Sequence, residues 1–238
     1  MSEGQRIAVV AGGGSGIGQG CALRLAAEGW RVVLVGRDPA KLDATATRIA
    51  EAGGDAEAFP GDARDWDRMA ELGALLEPDG IDLLINSVGG QFAKPAADLS
   101  RNGWKAVVET NLDSAFFLAR NLYPALKRRR GAIVNVVANL WQKGAATMAH
   151  SGAARAGVVN LTRTLAVEWA ADGIRVNAVS PGFTDTPALR DQYRGMIDTV
   201  PLGRMGTVGE VVDAILFMAR ASYVTGEVLT VDGGLQLA

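Results

Sequence analysis

One cysteine, Cys21, is all that this chain of 238 residues holds. That excludes an intrachain disulfide and a cysteine-rich metal site, and it fits a reducing compartment. Histidine is equally scarce: His150 stands alone, with no paired carboxylates near it, so no catalytic metal is expected. No sign of charge dominates, because 24 basic residues face 26 acidic ones for a net charge of −2. The chain therefore lacks the electrostatic footprint of a nucleic-acid or anionic-membrane binder. No apolar run reaches the length of a membrane span, and "MSEGQR" leads into "IAVVAG" without the pattern of a signal peptide. The expectation is a soluble cytoplasmic protein with no nucleic-acid and no membrane partner.

What the chain does hold is hydrophobic residues at 48% and 30 glycines set between short apolar runs. This composition suits an α/β protein with many tight turns. Short apolar runs alternate with longer segments of helical spacing. Ile7 to Ala11 reads as a strand, followed by a helix with Ile17, Cys21 and Leu25 on one face. Arg31 to Val35, "DAEAFPGD", "IDLLINS", "AIVNVVA", "IRVNAVS" and "EVLTVDGG" supply six more strands. A long helix is predicted from about Trp104 to Leu126, with "KRRR" at its C-terminal end, where cations suit the helix dipole, and Gly131 as its stop. Strands buried on both faces and alternating with helices imply a parallel sheet with right-handed crossovers. The prediction is a single domain over 1–238, an α/β doubly wound Rossmann-like three-layer fold with a seven-stranded parallel sheet. The stretch around 183–205, with Pro187 and Pro201, has no clean period and is a candidate substrate lid.

"VVAGGGSGIG", Val9 to Gly18, lies between the first strand and the first helix. There Gly12, Gly16 and Gly18 can supply a tight turn, close backbone approach and close helix packing, with the helix N-terminus facing a pyrophosphate. At the end of the second strand, where an acidic residue would accept from ribose hydroxyls, stand Gly36 and Arg37. An arginine there can pair with a ribose phosphate, which favours NADPH as the cofactor. Asp38 could reach the ribose instead if the strand ends one residue later. Asp62 and Ala63 after the third strand, with Asn86 and Gly89 after the fourth, outline a groove at the C-terminal edge of the sheet.

Five segments in order, "AGGGSGIG", "NSVG", "ETN", "RVNAVSPG" and "VLTVDGG", resemble the landmarks of the short-chain dehydrogenase/reductase family. The resemblance covers nearly the whole chain and implies strand order 3-2-1-4-5-6-7 and a homotetramer. It implies cofactor contacts from Gly12, Ser15, Gly16, Ile17, Gly18, Arg155, Pro181 and Gly182, and a catalytic role for Asn111. It also implies a serine after the fifth strand and a tyrosine four residues before a lysine. Here Ala138, Ser151 and Arg155 fall at those three positions. A serine hydroxyl is a poor acid and base near neutrality and an arginine stays charged, so carbonyl reduction by the family route is disfavoured.

"GGQFAKPAADLSRNGWKAVVETN" and "HSGAARAGVVNLTRTLAVEWA" are similar to a narrower branch, the peroxisomal trans-2-enoyl-CoA and 2,4-dienoyl-CoA reductases. That branch implies NADPH-dependent reduction of the activated double bond of an enoyl thioester. Such a reaction asks the protein to hold the double bond and stabilise charge on the thioester oxygen. The expected catalytic set is Asn111, Ser151, Arg155 and His150. Asn111 would organise backbone and water, Arg155 hold the ribose, Ser151 donate to substrate or cofactor, and His150 relay a proton or simply cap and pack. Trp141 and Met196 are candidate walls of an apolar substrate pocket, and Trp104 a surface or interface packer. Two alternatives remain: an atypical reductase of 3-oxoacyl-type carbonyls, and a dinucleotide-binding protein with a degenerate site.

Overall fold

In a computed structural model, which describes residues 4–186 and 194–238, seven parallel strands form one sheet in the order β3-β2-β1-β4-β5-β6-β7. The strands are β1 (Ile7–Ala11), β2 (Arg31–Gly36), β3 (Asp55–Pro60), β4 (Leu83–Asn86), β5 (Ala132–Val136), β6 (Arg175–Pro181) and β7 (Val228–Val231). Alternation along each strand sends side chains to opposite faces, and two cores result. Ala8 and Val10 of β1 join one core with helices α1 (Gly16–Ala27), α2 (Pro39–Glu51) and α7 (Val208–Arg220). Ile7, Val9 and Ala11 join the other with α3 (Trp66–Leu76), α5 (Ser114–Arg129) and α6 (Ala149–Glu168). Helices thus cover both faces, and the expected three layers are present.

The strand order reverses direction between β1 and β4, whose ends lie side by side with Ala11 opposite Asn86. A crevice opens outside the carboxyl ends of the strands at such a point, which is where this fold places a ligand.

Two expectations need correction. The segment from Trp104 to Leu126 is not one α-helix: α4 (Arg101–Val108) and α5 are joined through a π-helical turn, Glu109–Asp113. The Asn111 side chain there donates to the carbonyl of Val107 at 2.7 Å, bonding within the turn that the hydrophobic period cannot report. The second concerns the stop of α5. Arg130, not Gly131, takes the left-handed conformation, with φ of 53°. Glycine is needed at 131 for close approach instead, since a β-carbon there would sit 2.5 Å from the carbonyl oxygen of Ile81. Lys127 of the basic run pairs with Asp172 at 2.8 Å.

Of the stretch around 183–205 that the sequence marks as a lid, residues 187–193 lie outside the described residues. On its flanks Thr184 bridges Gly206 in parallel, and Arg194–Thr199 forms a short 3-10 helix. Among the described residues no helix is long and apolar enough to cross a membrane.

Candidate active site

The β1–α1 turn is built to let backbone approach backbone. Gly12 has φ of +82°, and a β-carbon on it would stand 2.8 Å from the carbonyl oxygen of Ser87, beyond the end of β4. A β-carbon on Gly18 would stand 2.2 Å from the carbonyl oxygen of Gly12. The amides of Gly12 and Gly13 both donate to the carbonyl of Val35, which pins the turn to β2. Ser15, the residue before α1, is exposed and makes no side-chain cap, whereas Asp38 and Asp65 cap α2 and α3. The first-turn amides of α1, including those of Gly16, Ile17 and Gly18, therefore meet no side-chain acceptor from Ser15. An uncapped helix N-terminus above a cradle without side chains fits the pyrophosphate of a nicotinamide dinucleotide.

β2 ends at Gly36, with Arg37 exposed immediately beyond it. Asp38 is turned away into α2: its carboxylate accepts the Lys41 amide N–H at 3.3 Å and pairs with the Lys41 ammonium at 3.3 Å. That amide bond, and then the Lys41 side chain, hold its carboxyl below the ordinary aspartate range. Just beyond β3 Asp62 is gripped by the fork of Arg64, with Nη2 to Oδ2 at 2.6 Å, which holds its carboxyl below the ordinary range in the same way. Ala63 is buried beside it. At the far end of the groove Pro181 is buried, and Gly182 packs on Asp232 so tightly that a β-carbon would lie 2.7 Å from that residue's own.

Arg155, Asn111, Asn86 and Gly89 come together at the β4 edge. Asn86 accepts from the amide of Val88 at 3.2 Å and reaches Asn135 at 3.4 Å, fixing the start of the loop after β4. Gly89 then passes between two side chains: a β-carbon on it would be 2.5 Å from Arg155 Nη2 and 3.0 Å from Asn111 Oδ1. Asn111 is buried and gives both of its N–H hydrogens to carbonyls, Gly90 at 2.8 Å and Val107 at 2.7 Å, while its oxygen accepts from the Gly90 amide. It fastens the loop to the π-turn. Arg155 is only 9% exposed and donates from Nη1 to the carbonyl of Val136 at 2.9 Å, which turns its guanidinium toward Gly89.

His150 and Ser151 occupy the first turn of α6. Ser151 is fully buried and its hydroxyl donates to Gln91 Oε1 at 2.8 Å. His150 is sealed as well, edge-on to Phe92 with ring centroids 4.6 Å apart, and its Nδ1 accepts the Ser151 amide N–H. Its Nε2 has no hydrogen-bond partner among the described residues. His150 is thus packed beneath Phe92.

Gln91 and Thr147 carry no role in the sequence reading, yet both bond across between the loop after β4 and the start of α6. Thr147 adopts φ of 66°, a conformation that a β-branched residue rarely takes, and its carbonyl accepts the Lys94 amide at 2.9 Å. The segment from Gly89 to Lys94 is thus fastened to the start of α6. The signal for Gln91 was a polar residue directly after a Gly-Gly pair at the mouth of a central strand.

Trp141 follows β5 in a short 3-10 turn, Asn139–Trp141. Its indole N–H donates to Ser180 Oγ at 3.2 Å, and its ring packs on a cluster that includes Ala115, Val137 and Val158. Met196 is 46% exposed on the short helix Arg194–Thr199, and Trp104 is exposed on α4. Cys21 is buried, and burial pushes its thiol up to about 12, so it offers no nucleophile.

Comparison with known proteins agrees with this geometry. Residues 11–236 match the family model described as "Enoyl-(Acyl carrier protein) reductase". The peroxisomal 2,4-dienoyl-CoA reductase of Pongo abelii is 36% identical over 98% of this chain and 84% of its own length. A galactitol 2-dehydrogenase of Rhizobium johnstonii is 37% identical over 98% of this chain and 95% of its own. Among solved structures, one described as a candidate NAD(P)-dependent gluconate 5-dehydrogenase from Beutenbergia cavernae, with NADP bound at low occupancy, superposes with a TM-score of 0.92. It is 35% identical, over 98% of this chain and 97% of that one.

Proposed function

Because this chain belongs to the short-chain dehydrogenase/reductase family, and so to its oxidoreductases, we propose that it is an NADPH-dependent reductase of the activated carbon–carbon double bond of an enoyl thioester, working without the family phenol and lysine. The observation that carries this reading is the pair on α6: Ser151 and Arg155, both buried, face the loop after β4 where the family reaction takes place. Neither titrates near neutrality, so neither suits a proton exchange with a carbonyl. Both suit a site that works by charge and orientation.

When bound, NADPH supplies the hydride that adds to the β-carbon. The electrons of the double bond then move onto the thioester oxygen as an enolate, and the α-carbon takes up one proton. The protein contributes a buried cation at Arg155, a loop fixed by Asn111 and Asn86, and an apolar wall at Trp141. The similarity to a dienoyl-CoA reductase supports the same substrate class. A second reading, a carbonyl reductase or alcohol dehydrogenase, is favoured by the galactitol 2-dehydrogenase relative.

The deciding measurement is NADPH oxidation with a trans-2-enoyl-CoA beside the matching 3-oxoacyl-CoA. Turnover of the first alone is expected. Turnover of the second alone would replace this reading by the carbonyl one, and turnover of neither would leave a nucleotide-binding protein without this chemistry.

The preference for NADPH rests on Arg37, exposed at the end of β2 with Asp38 already committed to Lys41. Arg37→Ala is expected to weaken NADPH about 10-fold, in line with the loss of one charge-assisted contact, and to leave NADH nearly unchanged. Calorimetric titration with both nucleotides checks this, and equal losses would contradict it. Assembly as a homotetramer belongs to the same proposal. It is supported by apolar side chains left exposed on α3, α5, α6 and α7: Trp66, Phe116, Val167 and Phe217. Sedimentation of only a monomer at micromolar concentration would contradict it.

A further inference from the structure

We infer that Thr162, buried in α6, is a positioning residue for the nucleotide: through Asn135 and Asn86 it sets the Ser87–Val88 backbone against which the glycine turn packs. The inference rests on the reading of the β1–α1 turn as the nucleotide cradle and is independent of the substrate.

Four hydrogen bonds run in series through the interior. The Val88 amide N–H donates to Asn86 Oδ1 at 3.2 Å, Asn86 Nδ2 to Asn135 Oδ1 at 3.4 Å, Asn135 Nδ2 to Thr162 Oγ1 at 3.0 Å, and the Thr162 hydroxyl to the Val158 carbonyl at 2.8 Å. All three side chains are buried. The series has one sense only. A backbone N–H at one end can only donate, and a backbone carbonyl at the other can only accept. Asn86 must therefore turn its oxygen to Val88 and Asn135 its oxygen to Asn86, while Thr162 accepts from Asn135 and gives its own hydrogen to the preceding helical turn. A carboxamide has nearly the same shape in either orientation, so packing alone does not choose between them. The Thr162 hydroxyl makes that choice for both asparagines.

One end of the series lies under the nucleotide cradle. A β-carbon on Gly12 would stand 2.8 Å from the Ser87 carbonyl oxygen and 3.4 Å from the Val88 nitrogen, so this peptide is the surface on which the turn rests. The Ser87 amide is held by the Ala11 carbonyl at 2.9 Å, and Gly90 is clasped by Asn111. Val88 lies between those two holds, and Asn86 supplies its acceptor. With Asn86 reversed, two donors would meet there, and the peptide would have to rotate against Gly12.

The other end keys α6 to the sheet. Arg155 and Thr162 stand seven residues apart on α6, close to two helical turns, so both face β5. Arg155 donates to the Val136 carbonyl at 2.9 Å, and Thr162 accepts from the adjacent Asn135. Bonds to two successive residues of one strand fix the rotation of the helix that carries Arg155.

The test compares Thr162→Val with Thr162→Ser in the full chain, by titration with NADPH and by hydrogen exchange read by mass spectrometry. Valine keeps the shape of threonine and removes the acceptor, whereas serine keeps the hydroxyl and removes a methyl group. A residue that only packs is harmed more by serine. Thr162→Val is instead expected to raise the Kd for NADPH about 10-fold, the scale of one lost hydrogen bond. Amide exchange over 87–90 should quicken beyond any change elsewhere in the sheet. Thr162→Ser is expected to bring the Kd back to within about threefold of the parent. Should Thr162→Val fail to fold, Asn135→Ala breaks the series at its middle, and the same rise in Kd is expected. A Kd within about threefold of the parent in whichever of these two folds, or an equal rise in Thr162→Ser, would overturn the inference and leave the cradle reading intact. A parent that binds no NADPH would remove that reading, and the role of Thr162 with it.

Discussion

Gly18→Ala is expected to abolish useful nucleotide binding. The new methyl carbon would lie 2.2 Å from the carbonyl oxygen of Gly12 and 2.7 Å from its carbonyl carbon. Both are backbone atoms, so no side chain can swing aside, and α1 must move about 1 Å relative to the turn. The turn itself resists, because Gly12 and Gly13 donate to the Val35 carbonyl. Displacement on this scale costs roughly 100-fold where geometry is tight, so the Kd for NADPH should rise by about that factor or more. Overpacking of this kind also costs about 1–3 kcal/mol of stability. A fluorescence titration with NADPH and a thermal melt separate the two effects. A folded variant with unchanged nucleotide affinity would show that the N-terminus of α1 is not the phosphate site.

Arg155→Ala should have the largest effect on turnover. The substitution empties a buried site, removes the donor to the Val136 carbonyl and takes away the cation beside Gly89. A loss of about 100- to 1,000-fold in kcat is expected, on the scale of removing a preorganised charge from a transition state. Arg155→Lys should recover part of it, since charge returns without the fork. The pH dependence gives a sharper check. Arginine stays protonated across the working range, so this cation imposes no alkaline limit on the parent. A lysine at the same buried position titrates lower than a free one, and the variant should lose activity as pH rises through that value. Parallel pH profiles for the two proteins would remove Arg155 from the electrostatics of the site.

Much of the architecture was legible because strands buried on both faces are written as short apolar runs, and β1, β2 and β4 to β6 read that way without ambiguity. β3 was weaker for a physical reason: it lies at the edge of the sheet, and its residues Asp55–Pro60 are half-buried or exposed. The glycine turn was legible since its spacing between strand and helix admits few other uses. The break between α4 and α5 was not, because a π-turn leaves the apolar spacing of its flanks nearly intact. Gln91 and Thr147 were not legible either. Their importance comes from what faces them across the groove, Ser151 in one case and Lys94 in the other, and neither partner is near in sequence.

The sequence by itself determined the layers, the glycine turn between β1 and α1, and the presence of a serine and an arginine at positions 151 and 155. These follow from period, turn chemistry and residue identity, which are local. Only the tertiary structure decided what the polar residues of the site can still do. Asn111 has no hydrogen left to give, His150 is closed off by Phe92, and the hydroxyl of Ser151 is turned to Gln91. A side chain's chemistry is set by the hydrogens and lone pairs that folding leaves unused, and those depend on contacts between segments as much as 60 residues apart.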